Sequence, residues 1–150
     1  MATIHLTTSI RVPINACFDA ARSVDAHLSS AIGTNEKVIA GRMTGLFKAG
    51  DIVTWEARHL GIRQRLTVEI SRMIEPTFFE DKMLKGAFKS MRHEHHFAEE
   101  NGFTIMTDLF QYETPFGILG ALFDKLYLES YMRRFLQKRN LHLKQVLEGA

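Results

Sequence analysis

The chain holds a single cysteine, Cys17, so no disulfide can form within it and an oxidising compartment is not implied. Cys17 stands among Ala16, Phe18, Ala20 and Ala21, a setting for a small hydrophobe rather than a reactive thiol. Prolines number only three, and none follows Pro115. The last third, Thr114 to Glu148, is therefore free to run as one long helix. No window approaches the roughly 18 consecutive apolar residues of a membrane span, and no basic-then-apolar leader opens the chain. These absences lead to the expectation of a cytoplasmic protein without stable membrane insertion. Charge of one sign is lacking too. The net charge is +2 with basic and acidic residues interspersed, which argues against a dedicated nucleic-acid partner. The one basic cluster, Arg133, Arg134, Lys138 and Arg139, falls late in the helical stretch, where cations favour the helix dipole and a solvated face. There is no Gly-x-Gly-x-x-Gly or Walker loop, no Gly-x-Ser-x-Gly elbow, and no His-x-x-x-His or paired-cysteine spacing. No cofactor and no metal are expected, and oligomeric state is left open.

What is present is a succession of alternating runs. Thr3–Ile14 has period two and reads as a strand ending near Pro13. Two short helices follow, Ala16–Arg22 with Asn15 as N-cap and Asp25–Ala31 with Asp25 as cap, closed by Gly33-Thr34-Asn35. Six strands come next: Lys37–Phe47, Asp51–His59, Ile62–Ile74, Thr77–Lys85, Phe88–Glu99 and Phe103–Glu113. Their connections are short, and Asn101-Gly102 between alternating runs is a strong tight-turn signal. Strands joined by tight turns form an antiparallel meander. The expected architecture is α+β: one domain, residues 1–150, with a curved antiparallel sheet of about seven strands wrapped around the long C-terminal helix and two short helices after the first strand. Such an arrangement leaves a cavity between the concave face and the helix.

Alternation also assigns faces, because neighbouring side chains on a strand point opposite ways. The inward sets are Val53, Trp55, Ala57 and His59; Ile62, Gln64, Leu66, Val68 and Ile70; Phe79, Asp81 and Met83; Met91, His93, His95 and Phe97; and Met106, Asp108, Phe110 and Tyr112. An apolar face thus carries a polar handful: His59, Asp81, His93, His95 and Asp108. Carboxylate–imidazole pairs across adjacent strands would satisfy groups that are costly to bury alone. Four readings of that handful stay open. It locks strand register, it orients the polar end of a ligand, it performs acid/base chemistry through a histidine backed by a carboxylate, or it holds a metal through His93, His95 and His59. The aromatic and methionine side chains, among them Phe88, Met83 and Met91, fill a core or line an adaptable pocket. On the long helix, Phe116, Leu119, Leu122, Phe123 and Leu126 read as a pocket wall, with Pro115 and Gly117 at a hinge.

Val53-Thr-Trp-Glu-Ala-Arg-His59, Gly86-Ala-Phe-Lys-Ser-Met-Arg-His-Glu-His-His-Phe97, Thr107-Asp108 with Tyr112, and Thr114-Pro-Phe-Gly117 together resemble a bacterial single-domain subgroup of the START-like helix-grip superfamily, also called SRPBCC. That superfamily includes plant pathogenesis-related proteins, lipid-transfer START domains and polyketide cyclases. The resemblance spans essentially the whole chain. It implies a cavity for a hydrophobic or amphipathic ligand under the C-terminal helix, with Trp55, His59, His93, His95, Asp108 and Tyr112 where such families contact ligand. Ala87 and Met91 stand where proline and tryptophan are expected, and less bulk at Met91 reshapes the pocket. The expected function is binding of a lipid, isoprenoid or polycyclic aromatic by Trp55, His59, Asp81, Met83, Phe88, Met91, His93, His95, Asp108, Phe110, Tyr112, Leu119 and Phe123. The alternative is a cyclase or dehydratase whose catalytic candidates are His93, His95 and Asp108.

Overall fold

Alternating apolar residues and tight turns place seven strands in one antiparallel sheet, ordered β1-β7-β6-β5-β4-β3-β2. The computed structural model describes residues 1–30 and 34–149. The strands are β1 (Ala2–Ile10), β2 (Lys37–Gly41), β3 (Ile52–His59), β4 (Ile62–Ile74), β5 (Phe78–Lys85), β6 (Ser90–Glu100) and β7 (Phe103–Glu113). Two short helices, α1 (Ile14–Ala21) and α2 (Val24–Ser30), separate β1 from β2. After β7 the chain turns into α3 (Gly117–Phe123), passes through a π-helical turn at Asp124–Leu128, and continues as α4 (Glu129–Gly149). None of these helices is long and apolar enough to cross a membrane.

The β6–β7 hairpin shows how directly sequence sets register. Asn101 and Gly102 both take left-handed backbone, φ +50° and +82°, as a two-residue hairpin turn requires. From that turn Glu100 pairs with Phe103 and the ladder runs unbroken to Ser90 opposite Glu113. Burial along β7 alternates without exception from Phe103 to Glu113.

Three local expectations are corrected. The strand expected over Lys37–Phe47 ends at Gly41. Gly41 has φ +84°, and a Cβ there would lie 2.0 Å from the Ile52 carbonyl oxygen, so the chain turns where only glycine fits. Residues 42–51 then form a packed loop, in which Arg42 Nε donates to Asp51 Oδ2 at 2.5 Å and the Lys48 amide donates to the same oxygen at 2.8 Å. The first helix begins at Ile14, so Asn15 lies inside it instead of capping it. Pro13 is extended, with its carbonyl accepting the Cys17 amide at 3.1 Å. The second helix is capped by Ser23, whose Oγ accepts the Ala26 amide at 3.1 Å, while Asp25 in the first turn reaches across to the Gly45 amide. The end of that helix at Ala31 and the closing turn at Gly33 lie outside the described residues.

The interior has two packed regions. Ile10, Cys17, Phe18, Phe79, Phe97 and Met106 fill one end beneath α1, with Leu143 and Leu147 of α4 against them. Burial, and secondarily the charge of Asp108, pushes the Cys17 thiol up to about 12, so it stays a neutral packing group. Ile4, Leu6, Val53, Val68, Ile70 and Leu136 belong to the larger region around the middle of the sheet. Replacing Gly41 by alanine should lower stability by roughly 1–3 kcal/mol. A Gly41→Ala melting temperature equal to wild type would show that the β2–β3 edge adjusts freely.

Candidate functional site

Between the concave face and the closing helix lies a cavity of about 520 Å³. The size is that of small-molecule sites, which run roughly 300–1,000 Å³. β3 supplies Trp55, Ala57 and His59; β5 and β6 supply Asp81, Met91 and His93; and β7 supplies Phe110. Phe88, from the β5–β6 turn, and Leu119 and Phe123 of α3 also line it. The π turn adds Leu128, and α4 adds Tyr131, Met132, Phe135, Leu136 and Arg139.

Four residues expected at the ligand lie behind this wall. Met83 does not line the cavity; it is half-buried and packs against the core cluster that holds Val68, its partner in register on β4. Tyr112 is fully buried, and its hydroxyl donates to Asp124 Oδ1 at the π turn, tying β7 to the helix. His95 and Asp108 sit a layer deeper, around a void of about 20 Å³ shared with Asn140 and Met106. Of the helix residues expected to form the wall, Leu122 and Leu126 are outside the cavity and exposed. The opposite correction holds for Arg139, which was assigned to a solvated face and lines the cavity.

The histidines and aspartates form crossed pairs. In register, Asp81 stands opposite His93 and Asp108 opposite His95. The side chains bond diagonally instead: His93 Nε2 donates to Asp108 Oδ1 at 2.8 Å, and His95 Nε2 donates to Asp81 Oδ1 at 2.7 Å. The two rings cross face to face, centroids 3.8 Å apart, and Phe79 stacks on the far side of His95 at 4.1 Å. Asn140 Nδ2 of α4 donates to Asp108 Oδ2 at 2.7 Å, which joins the group to the helix. Burial, followed by the charge of His93, lowers His95 to about 4 in spite of its bond to Asp81, so it is neutral near pH 7. Burial works to raise both carboxyls. The histidines outweigh it, bringing Asp81 down to about 2 and holding Asp108 well below the ordinary range.

A second polar group, not anticipated from the sequence, sits at the β3 side. His27 stacks on Trp55, centroids 4.2 Å apart, and its Nε2 meets Glu36 Oε1. Burial works to raise Glu36, but His27, Arg139 and His59 hold it below the usual carboxylate range. His59 Nδ1 shares a hydrogen bond of 2.8 Å with the Tyr131 hydroxyl, and burial lowers the His59 pKa. Arg139 makes no hydrogen bond or ion pair within hydrogen-bonding reach among the described residues. Tyr131, Phe135 and Arg139 recur every four residues, so one helix stripe carried their signal. His27 and Glu36 come from separate segments and carried none.

Asp81, His93 and His95 offer donor atoms within 4.8 Å of one another, the residue types of a metal site. Each histidine Nε2 is engaged by a carboxylate, which leaves Nδ1 as the ring atom that could meet an ion.

No protein-family model matches the sequence, and no curated protein matches it. Solved structures do. A protein of Thermus thermophilus superposes with TM-score 0.78 at 17% identity, over 96% of this chain and 95% of that one. The major latex-like protein 151 of Panax ginseng gives 0.70 at 16%, over 97% of each chain. A START superfamily protein of Mycobacterium smegmatis gives 0.71 at 10%, over 96% of this chain and 98% of that one. The fold is the START-like helix grip. Identities this low establish the helix grip alone.

The buried His95 has a consequence for acid stability. An unfolded histidine titrates near 6.5, the folded one near 4. Between those values the unfolded chain holds a proton that the folded chain does not, so this contribution is complete above pH 6.5 and is lost as pH falls toward 4. At about 1.4 kcal/mol per unit, the loss is on the order of 3 kcal/mol. Asp81 adds a second loss between its ordinary value of 3.8 and about 2. His95→Gln keeps a donor for Asp81 without titrating. Its melting temperature should fall less steeply than wild type from pH 6.5 to 4, and parallel slopes would remove His95 as the cause.

Proposed function

We propose that this protein binds a small hydrophobic or amphipathic molecule, of lipid, isoprenoid or polycyclic aromatic character, between the sheet and the closing helix. One observation carries the reading: a cavity of about 520 Å³ walled mainly by aromatic and aliphatic side chains, with a few polar groups converging on it. The apolar body lies against Trp55, Phe88, Phe110, Leu119 and Phe123. A polar end meets Arg139, the His27–Glu36 pair and the His59–Tyr131 pair. Arg139 is suited to an oxygen-bearing end group, because its guanidinium has five donors and makes no hydrogen bond among the described residues. The likeness to a START superfamily protein is in keeping with this reading. So is a location in the cytoplasm, for a single-domain carrier.

Trp55 is the chain's one tryptophan and lines the cavity, so its emission reports occupancy directly. Titration of delipidated protein with a fatty acid, an isoprenoid alcohol and a polycyclic aromatic should change that emission saturably for at least one class. Ala57→Phe, which fills cavity space, should weaken binding at least tenfold. Native mass spectra without bound ligand, together with no response to any class, would overturn the proposal.

A second reading has its own observation. His93 lines the cavity and is backed by Asp108, which Asn140 holds in place, the arrangement of a poised general base. His95, neutral and walled in by Phe79, is not available for that role. If the protein is a cyclase or dehydratase, His93 exchanges an acidic C–H proton of the bound ligand. Deuterium uptake by that ligand in heavy water should then disappear in His93→Asn while Trp55-monitored binding persists. Unchanged uptake in the variant would exclude His93.

A further inference from the structure

Three side chains at the cavity wall have the chemistry and the spacing of a metal site. Asp81, His93 and His95 each place one donor atom within 4.8 Å of the others. Donors held by one ion at about 2.1 Å lie no more than about 4.2 Å apart, so small side-chain movements close the set. Strand geometry brings the three together: His93 and His95 lie two apart on one face of β6, and Asp81 of β5 stands opposite His93 in register. His59 is bonded to Tyr131 and is not among them.

The surroundings are those that ligating imidazoles need. A metal-bound histidine gives its second ring N–H to a carboxylate, which orients the ring and strengthens it as a ligand. His93 has Asp108 on Nε2 at 2.8 Å, and Asn140 holds that carboxylate from α4 at 2.7 Å. His95 has a carboxylate at each nitrogen, Asp81 at 2.7 Å from Nε2 and Asp108 at 3.5 Å from Nδ1. Whichever nitrogen of His95 meets an ion, the other keeps an acceptor. On Asp81 only Oδ1 is hydrogen-bonded among the described residues. Access comes from one side. Asp81 and His93 line the cavity, Asp81 with 19% of its side chain exposed, while Phe79 closes the far face of His95. Two carboxylates, Asp81 and Asp108, stand against the one guanidinium that acts on them, Arg139, which leaves the cluster attractive to a dication. Two imidazoles with one carboxylate select zinc or a neighbouring first-row ion over calcium and magnesium, which take oxygen ligands.

We propose that Asp81, His93 and His95 bind one divalent first-row transition ion, zinc or a neighbour, at the wall of the cavity, with Asp108 and Asn140 as the outer partners that orient the ligands. The remaining coordination positions face the cavity, where water or an oxygen of a bound molecule fills them. The site does not depend on which molecule the cavity holds. An ion there engages the imidazole that would otherwise act as a free base, so the two uses of His93 exclude each other.

The test takes the full chain, stripped with a chelator, and titrates it with zinc chloride by calorimetry and with cobalt(II) chloride by visible absorption. One equivalent of either ion should bind, with a cobalt spectrum of mixed nitrogen and oxygen ligation, and excess calcium or magnesium should displace neither. His93→Asn should weaken binding at least about a hundredfold, and Asn140→Ala, through Asp108, about tenfold. Circular dichroism identifies any variant that has not folded. Asp81→Asn, at the partly exposed position, keeps the test open if His93→Asn is one of these, and should weaken binding at least about tenfold. His96→Ala removes an exposed histidine outside the cluster and should change nothing. Failure of wild type to bind either ion, or wild-type affinity in both His93→Asn and Asp81→Asn, would overturn the inference. Loss of binding in His96→Ala would place the ion on the surface and overturn it as well. No organic ligand enters these titrations, so their failure is separate from failure of the cavity reading, which Trp55 emission tests on the metal-free protein.

Discussion

Asp108 accepts from two directions at once, from His93 on the neighbouring strand and from Asn140 on the closing helix, and the interior is arranged around that carboxylate. It is nearly fully buried, where an ionised carboxyl without donors would be prohibitively costly. Its donors therefore fix both its charge and the position of α4 over the sheet. Below the Asp108–Asn140 contact α4 packs on the aromatic end of the core; above it the helix stands off and the cavity opens. Removing either partner leaves a buried polar group unpaired, so this contact sets where packing ends and the cavity begins.

The crossed arrangement sorts two chemically identical imidazoles into different surroundings. His95, between Phe79 and His93 and away from the large cavity, is confined to its neutral form. His93 shares its carboxylate partner with the helix but looks onto the cavity. Two residues apart on one strand face, one is enclosed by the fold and the other faces the cavity. Phe79 and Asn140 make that distinction, and neither lines the cavity.

Much of the architecture was legible because alternation and turn chemistry agreed: β7 alternates cleanly, and Asn101-Gly102 pins the register of its hairpin. The inward faces of β3, β6 and β7 followed from the same pattern. What alternation could not give was depth. It placed His93, His95, Asp108 and Tyr112 on one face without saying which of them a packed layer covers, because that depends on side-chain direction and on Asn140 from a distant helix. The diagonal pairing was likewise invisible, since register puts each aspartate opposite the histidine it does not bond. Gly41 was not readable as the end of a strand, because the close approach of the Ile52 carbonyl is a tertiary fact. Arg139 was misassigned by its company: three neighbouring cations suggested solvent, while its spacing from Tyr131 and Phe135 pointed inward.

The π-helical turn at Asp124–Leu128 gives the closing helix two phases. Inward residues run Leu119, Phe123, then Leu128, Met132, Leu136, so the step across the turn is five residues where it is four on either side. One extra residue rotates everything upstream by about 100° relative to an uninterrupted helix. A wheel drawn continuously from α4 back through α3 would therefore misplace the upstream residues by a quarter-turn or more, and with them the boundary between wall and surface. The inserted residue works as a phase offset: it lets one continuous backbone keep a core-facing stripe along α4 and present a differently aimed apolar face at the mouth. A one-residue deletion within the turn would leave the composition almost untouched while exchanging which side chains meet the cavity and which meet the solvent.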